Sequence, residues 1–181
     1  MSDYRKTKLY DSHQSLKAKL VPFSGFWMPL QYSSIMKEHH HVRSKCGLFD
    51  VSHMGEFIVS GNNAKTFLQN VTTNDIQKLE AGKVQYSAFC NDSGGVIDDL
   101  LVYHLGDRYM LVVNASNIEK NFEWLSSKLI DDVSLEDKSD SISLLALQGP
   151  LSRTHLKKLY PKIEDLKSVS YTHLRAHETT S

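Results

Sequence analysis

Lys83-Val-Gln-Tyr86-Ser-Ala-Phe-Cys90-Asn-Asp-Ser-Gly94-Gly95-Val-Ile-Asp98-Asp99-Leu-Leu-Val-Tyr103 reads as two strands joined by a turn, with two acids set in an apolar run. Val84 to Cys90 is rich in aromatic and small residues. Asn91-Asp92-Ser93-Gly94-Gly95 is dense turn chemistry, because Gly tolerates positive φ and Asn and Asp bond their own backbone. Val96 to Tyr103 is a β-branched and aromatic run that predicts a strand buried on both faces. An ionised carboxylate is costly in such a strand unless it is paired or hydrogen-bonded. Alternation puts Asp99, Leu101 and Tyr103 on one face and Asp98, Leu100 and Val102 on the other. One acid then faces a pocket while the other satisfies donors or caps the turn. On spacing alone, the pair more simply fits the wet end of a strand that follows a Gly-Gly turn.

Outward from this stretch, His104 to Arg108 is a tight turn and Tyr109 to Asn114 a third strand, giving an antiparallel meander. Ser116, three residues before Glu119, has the spacing of a capping box for a helix that presents Ile118, Phe122, Leu125 and Leu129. Asp131 to Asp140 reads as a charged loop and Ser143 to Leu147 as another strand. Pro150 fits the first turn of a helix that stops before Pro161.

Upstream, Gly61-Asn-Asn63 is a turn before Ala64, Phe67, Leu68 and Val71, the apolar stripe of a helix. Thr72 to Asp75 reads as a polar connection. Glu56 to Ser60 is a strand. Asp50 and His53 lack a neighbouring nucleophile and read as a hydrogen-bonded pair that fixes a loop. Ser33-Ser34 starts a helix through Lys45, with Gly47 just past its end. Its His39-His40-His41 point about 100° apart, so they do not converge on a metal and read as a surface trio. Val21 to Tyr32 gathers Phe23, Phe26, Trp27, Met28 and Leu30, and its two prolines and Gly25 argue against a helix or a central strand. Lys8 to Leu20 reads as a turn or short helix.

The 181 residues suit one domain or slightly more, with 40% hydrophobic and 23% charged residues. A formal net charge of +0 leaves no basic footprint for nucleic acid or an acidic membrane. Cys46 and Cys90 form no metal or disulfide framework and fit a reducing compartment. No membrane span and no signal core is legible, so a cytoplasmic protein is expected.

Four collinear blocks carry a resemblance. They are Phe23 to Tyr32, Gly47-Leu-Phe-Asp-Val-Ser-His-Met54, Gly94-Gly-Val-Ile-Asp-Asp-Leu-Leu-Val-Tyr103 and Ala146-Leu-Gln-Gly-Pro150. Together they resemble the glycine-cleavage T-protein family, the tetrahydrofolate-dependent aminomethyltransferases, over residues 7 to 167. The resemblance implies an α+β fold of antiparallel strands with packed helices, with residues 1–168 forming the N-terminal part of the folate-binding region. Family members run to roughly twice this length, so an N-terminal piece, inactive by itself, is expected. Residues 169–181 share no likeness with the family and read as a non-native tail, similar to translated sequencing-adapter sequence.

The family takes an aminomethyl group from the lipoyl arm of a carrier (H) protein, passes its carbon to tetrahydrofolate and releases ammonia, with no metal. By this resemblance Asp99 is the catalytic acid, with Asp98 as the fallback. Met54, Tyr86, Asp99, Tyr103, Val113 and Asn114 contact the folate. Two other uses of the fold compete: a folate-binding protein of iron–sulfur cluster assembly, and the folate domain of a sarcosine or dimethylglycine oxidoreductase. The intact acid pair and the Phe49 to Met54 block favour the transferase. No Gly-rich flavin motif stands before the first block, which argues against the oxidoreductase.

Overall fold

The computed structural model describes residues 4–161 and 163. The elements in order are β1 (Arg5–Lys6), α1 (Tyr10–Ser15), β2 (Lys19–Phe23), β3 (Phe26–Gln31), α2 (Ile35–Ser44), β4 (Gly47–Asp50), β5 (Gly55–Ser60) and α3 (Ala64–Val71). They are followed by β6 (Val84–Cys90), β7 (Val96–His104), β8 (Tyr109–Val113), α4 (Ile118–Ser127), β9 (Ser134–Asp137), β10 (Leu145–Gln148) and α5 (Ser152–Leu159). The class is α+β, as the sequence predicts, and the tail at 169–181 lies outside the described residues.

The central element is a five-stranded antiparallel sheet in the order β6-β7-β8-β5-β9. The expected meander forms its first three strands. The turn before β7 is held by the Asn91 side chain, whose Oδ1 accepts from Ser93 N at 3.1 Å and Gly95 N at 2.8 Å. Gly94 there takes φ +82°, a left-handed conformation that a side chain resists. Against one face pack α3, through Ala64, Phe67, Leu68 and Val71, and α4, through Leu125; they meet Phe57, Val59, Leu100, Val102, Leu111 and Val113. Apolar burial of this kind, at roughly 25 cal/mol per Å², is the main drive for the layer.

Several expectations change. β7 is buried on one face only: Asp98, Leu100 and Val102 are buried, whereas Asp99 is exposed and Leu101 half-buried. It is β8 that is buried throughout. The charged segment 131–140 contains β9, an edge strand that pairs Phe57 with Asp137 and Val59 with Leu135. The capping box at Ser116 does not form; Ala115–Asn117 is a 3-10 turn, and the N-cap of α4 is Asn117, without a side-chain cap. Gly47 begins β4 instead of closing α2, because the 47–50 strand pairs with β10.

The Pro-flanked block is a hairpin. Ser24 (φ 47°) and Gly25 (φ 83°) make the two-residue turn with both centres left-handed, which matches strand twist. Pro22 is tolerated because β2 is an edge strand. β3 is the middle strand of the order β1-β3-β2, but β1 covers only Phe26 and Trp27, so Pro29 needs no second partner. The start of α2 is held by Glu38, whose Oε1 accepts from the backbone N–H of Tyr32, Ser33 and Ser34 at 2.9, 2.5 and 3.1 Å. The Ser33 N–H bond, foremost among these, pulls the Glu38 carboxyl below its ordinary value.

Asp50 does fix the chain locally, but its partner is His13 and not His53. Its Oδ2 accepts from Thr7 Oγ1 at 2.8 Å and from His13 Nε2 at 2.9 Å, and its Oδ1 from Ser52 N at 2.9 Å. The other ring nitrogen of His13, Nδ1, lies 2.8 Å from the Tyr32 hydroxyl, so the imidazole links Asp50 to Tyr32. Burial pushes the Asp50 carboxyl up, but the bonds from His13, Ser52 and Thr7 outweigh it and hold the group below its ordinary value. His53 turns to the rings of Phe23 and Phe26, and its Nδ1 has no hydrogen-bond partner. Removing one member of a buried, hydrogen-bonded pair costs about 3–5 kcal/mol. His13→Leu is therefore expected to lower unfolding stability by about that amount, measured as a shifted urea midpoint. Because the Asp50 carboxyl is depressed, its contribution is present above the ordinary carboxylate value and fades as pH falls through the depressed one.

Candidate active site

The second face of the sheet divides into two parts. Over β5 and β8 the chain covers it: Ile142 and Leu144 share a cavity wall with Ile58 and Met110. Over β6 and β7 it is open, and here Tyr86 and Asp99 stand exposed, Tyr86 at 62%. The register explains the grouping. Tyr86 opposes Leu101, Leu101 opposes Val112, and Val112 opposes Glu56, so these four form one row across this face.

The two acids of β7 part as alternation requires. Asp99 Oδ2 accepts from the Tyr86 hydroxyl at 2.9 Å, and Asp99 Oδ1 from Asn114 Nδ2 at 2.8 Å. The Tyr86 bond, then the Asn114 bond, holds the Asp99 carboxyl below its ordinary value, so it is ionised at neutral pH. The same bond and the charge of Asp99 raise the Tyr86 phenol. Asp98 points into the core side, where Oδ1 accepts from Asn114 Nδ2 at 2.8 Å and Oδ2 from Asn121 Nδ2 at 2.5 Å. One amide nitrogen with two hydrogens thus bridges two carboxylates on opposite faces.

The remaining sequence-predicted residues lie as follows. Tyr103 shares the face of Asp99 but stands four residues away, roughly 13 Å along the strand. Its phenol is half-buried and raised by burial first and by the charge of Glu56 second. Met54 directly precedes Gly55, which pairs with Val113, so it enters the sheet beside Asn114; it lines a cavity of about 320 Å³ with Ser52, Ile118 and Ser139. Gly55 has no room for a side chain: a Cβ would fall 2.7 Å from Ile118 and 2.8 Å from Val113. Val113 belongs to the hydrophobic core, and Val112 is the valine of β8 on the site side. The Thr72 to Asp75 connection is tied to β6: Asn74 Nδ2 donates to Tyr86 O at 2.6 Å and Asn74 N to Ser87 Oγ at 3.0 Å. His39, His40 and His41 are exposed, and no group of three or more His, Cys, Asp or Glu side chains placed for a metal occurs among the described residues.

Two residues of this region escaped sequence reasoning. Asn121 is wholly buried on α4, and the signal was a polar residue on the helix stripe between Ile118 and Leu125. In the sequence Glu56 reads only as the start of a strand. It is fully buried, neither carboxyl oxygen has a hydrogen-bond partner, and burial, then the charge of Asp137, raises it to about 8. A carboxyl raised in the fold stabilises fully below its unfolded value, and that support is lost as pH rises through the folded value. Stability is therefore expected to fall between the ordinary 4.5 and about 8, and Glu56→Gln to flatten that slope in denaturation midpoints taken across the range. Asp98→Ala leaves the buried Asn121 amide without its acceptor and Asn114 with Asp99 alone, and is expected to cost about 2–4 kcal/mol by urea unfolding.

Residues 9–181 match the family model of the GCVT N-terminal domain. The chain is 57% identical over 155 residues to the aminomethyltransferase of Chloroherpeton thalassium, covering 84% of this chain and 43% of that protein. It is 48% identical over 156 residues to the aminomethyltransferase of Bacillus subtilis, covering 86% and 43%. The crystal structure of glycine cleavage system aminomethyltransferase T from Bartonella henselae superposes with a TM-score of 0.78 at 35% identity, over 86% of this chain and 44% of that one. The chain therefore spans less than half the length of these relatives. Sheet, helices and acid pair fall inside the matched region, and the chain belongs to the GCVT N-terminal domain family.

Proposed function

We infer that this chain supplies part of a tetrahydrofolate-dependent aminomethyltransferase of the glycine cleavage system. The reaction moves the methylene carbon of an aminomethyl group, carried on the lipoyl arm of an H protein, to tetrahydrofolate, and ammonia leaves. The observation that carries this reading is the ionised, solvent-facing Asp99, held by Tyr86 and Asn114 on the open face of the sheet. A fixed carboxylate favours positive charge that develops beside it and accepts or relays a proton. The exposed Tyr86 ring offers a flat apolar surface of the kind that a pteridine ring stacks on. Its hydroxyl is already spent on Asp99, so Tyr86 orients the acid as well. Asn114 restrains the acid from the other side, and Met54 and Tyr103 bound the face at its two ends.

Asp99 is the catalytic acid in this reading. Asp98, the fallback, is turned away from the open face and saturated by two asparagines, which suits a supporting role. The names of the relatives support the transferase over cluster assembly or an oxidoreductase domain. The chain spans 43% of the Bacillus subtilis relative, and the transfer is proposed for the full-length protein. No turnover is expected from residues 1–181 alone. Two cysteines without a framework suit reducing cytoplasm as the site of the reaction.

The test is calorimetric titration of tetrahydrofolate into the full-length protein, wild type and Asp99→Asn, beside an aminomethyl-transfer assay. Loss of the carboxylate charge is expected to leave folate affinity within about threefold and to lower kcat by roughly 10²–10³. Folate binding without transfer in the wild type would move the assignment to a folate-binding assembly protein. No folate binding at all would end the folate reading.

A further inference from the structure

Asn121 is a residue that the proposed chemistry leaves without a task. It stands on α4 one turn from Ile118 and one turn from Leu125, among the side chains that pack on the sheet, and it is wholly buried. Its Nδ2 donates to Asp98 Oδ2 at 2.5 Å, while its own Oδ1 has no hydrogen-bond partner. Asp98 is placed in the same way, on the inward face of β7 with the apolar Leu100 and Val102. Such a pair is poor support for a fold, because apolar residues of similar volume at both positions are often neutral or stabilising. The orphaned amide oxygen adds a further cost. Stability gives no account of Asn121, and the hydrogen bonds beyond it do. We propose that Asn121 is a positioning residue for the transfer, aiming the Asp99 carboxylate at the open face through Asp98 and the Asn114 amide.

This role rests on the transferase reading and on an unbroken run of hydrogen bonds from the core to that face. Asn121 Nδ2 holds Asp98 at Oδ2, and the carboxylate so fixed presents Oδ1 to Asn114 Nδ2 at 2.8 Å. The Asn114 amide is planar. Once one of its two hydrogens is bound by Asp98 its rotation is set, and the other hydrogen is directed at Asp99 Oδ1, also at 2.8 Å. If the Asp98 carboxylate turns, nothing holds that rotation. The amide then swings its carbonyl oxygen toward Asp99, and two acceptors meet where a donor and an acceptor did. Asp99 keeps only the Tyr86 hydroxyl, on a side chain that is 62% exposed. Asn114 is thus the inner donor, and Asn121 is what ties it to a packed helix. α4 acts on the open face without touching it, since Asn121 lies inside the core layer.

The test uses the full-length protein and pairs each Asn121 variant with Asp99→Asn. Asn121→Leu fills the space and Asn121→Ala empties it, so an effect common to both belongs to the lost donor. Each is expected to lower kcat for transfer roughly tenfold, with KM for tetrahydrofolate within about twofold. On the Asp99→Asn background the same substitutions are expected to change kcat by less than about twofold, because no carboxylate is left to aim. With asparagine labelled at 15Nδ2 and the Asn114 resonances assigned by Asn114→Ala, those resonances are expected to shift in both Asn121 variants. A loss on the Asp99→Asn background as large as that in wild type marks a general effect on the fold and overturns the role. Wild-type kcat in either variant, unmoved Asn114 resonances, or failure of both variants to fold also overturns it. In each of those cases transfer by the wild type leaves the transferase reading standing. No transfer by the wild type overturns that reading, and this role with it.

Discussion

The site depends on one amide. Asn114 Nδ2 donates to Asp98 on one side of β7 and to Asp99 on the other, each at 2.8 Å. Neighbouring carboxylates on one strand repel, and alternation alone moves them apart without fixing either. The shared donor lowers that repulsion and ties the end of β8 to β7 just where the sheet passes into α4. Asn121 completes the coordination of Asp98 from α4. The orientation of the open-face acid is thereby referred to the core layer: Asp98 is rigid because α4 is packed, and Asp99 is steady because Asp98 is.

A second polar hub organises the other end of the molecule. Asp50 gathers Thr7, His13 and Ser52, and through His13 also Tyr32, so α1, β3 and β4 meet at one carboxylate. Both hubs use the same device, an acid satisfied by several donors drawn from separate elements. Glu56 is the contrast: it has burial without donors, and is pushed up to about 8.

What was legible in the sequence was local. The meander follows from Asn91 to Gly95 and from the short turn at 105–108, and α3 from its apolar stripe. The face assignment of Asp98 and Asp99 needed only a period of two. What was not legible depends on partners distant in sequence. β9 has one apolar residue, Leu135, among polar ones and so reads as a loop, and becomes a strand because β5 offers it an edge. The Pro-containing hairpin required knowing which strand edge each proline faces. The Asp50 to His13 bond crosses 37 positions, whereas His53 was close enough to mislead. The catalytic reading of Asp99 comes from the resemblance and from the face it shares with Tyr103; spacing alone favours a wet strand end.

The pairing of β5 with β9 has a kinetic side. β6, β7 and β8 are joined by short turns, and closing such loops costs little chain entropy. β5 must instead pair with β8 across α3 and the whole meander, and then receive β9 from beyond α4. Entropy therefore places the acid-bearing hairpin early in assembly and the enclosure of Glu56 late. The face that carries Asp99 is laid down by its nearest neighbours, and the edge strand β9 closes the sheet last.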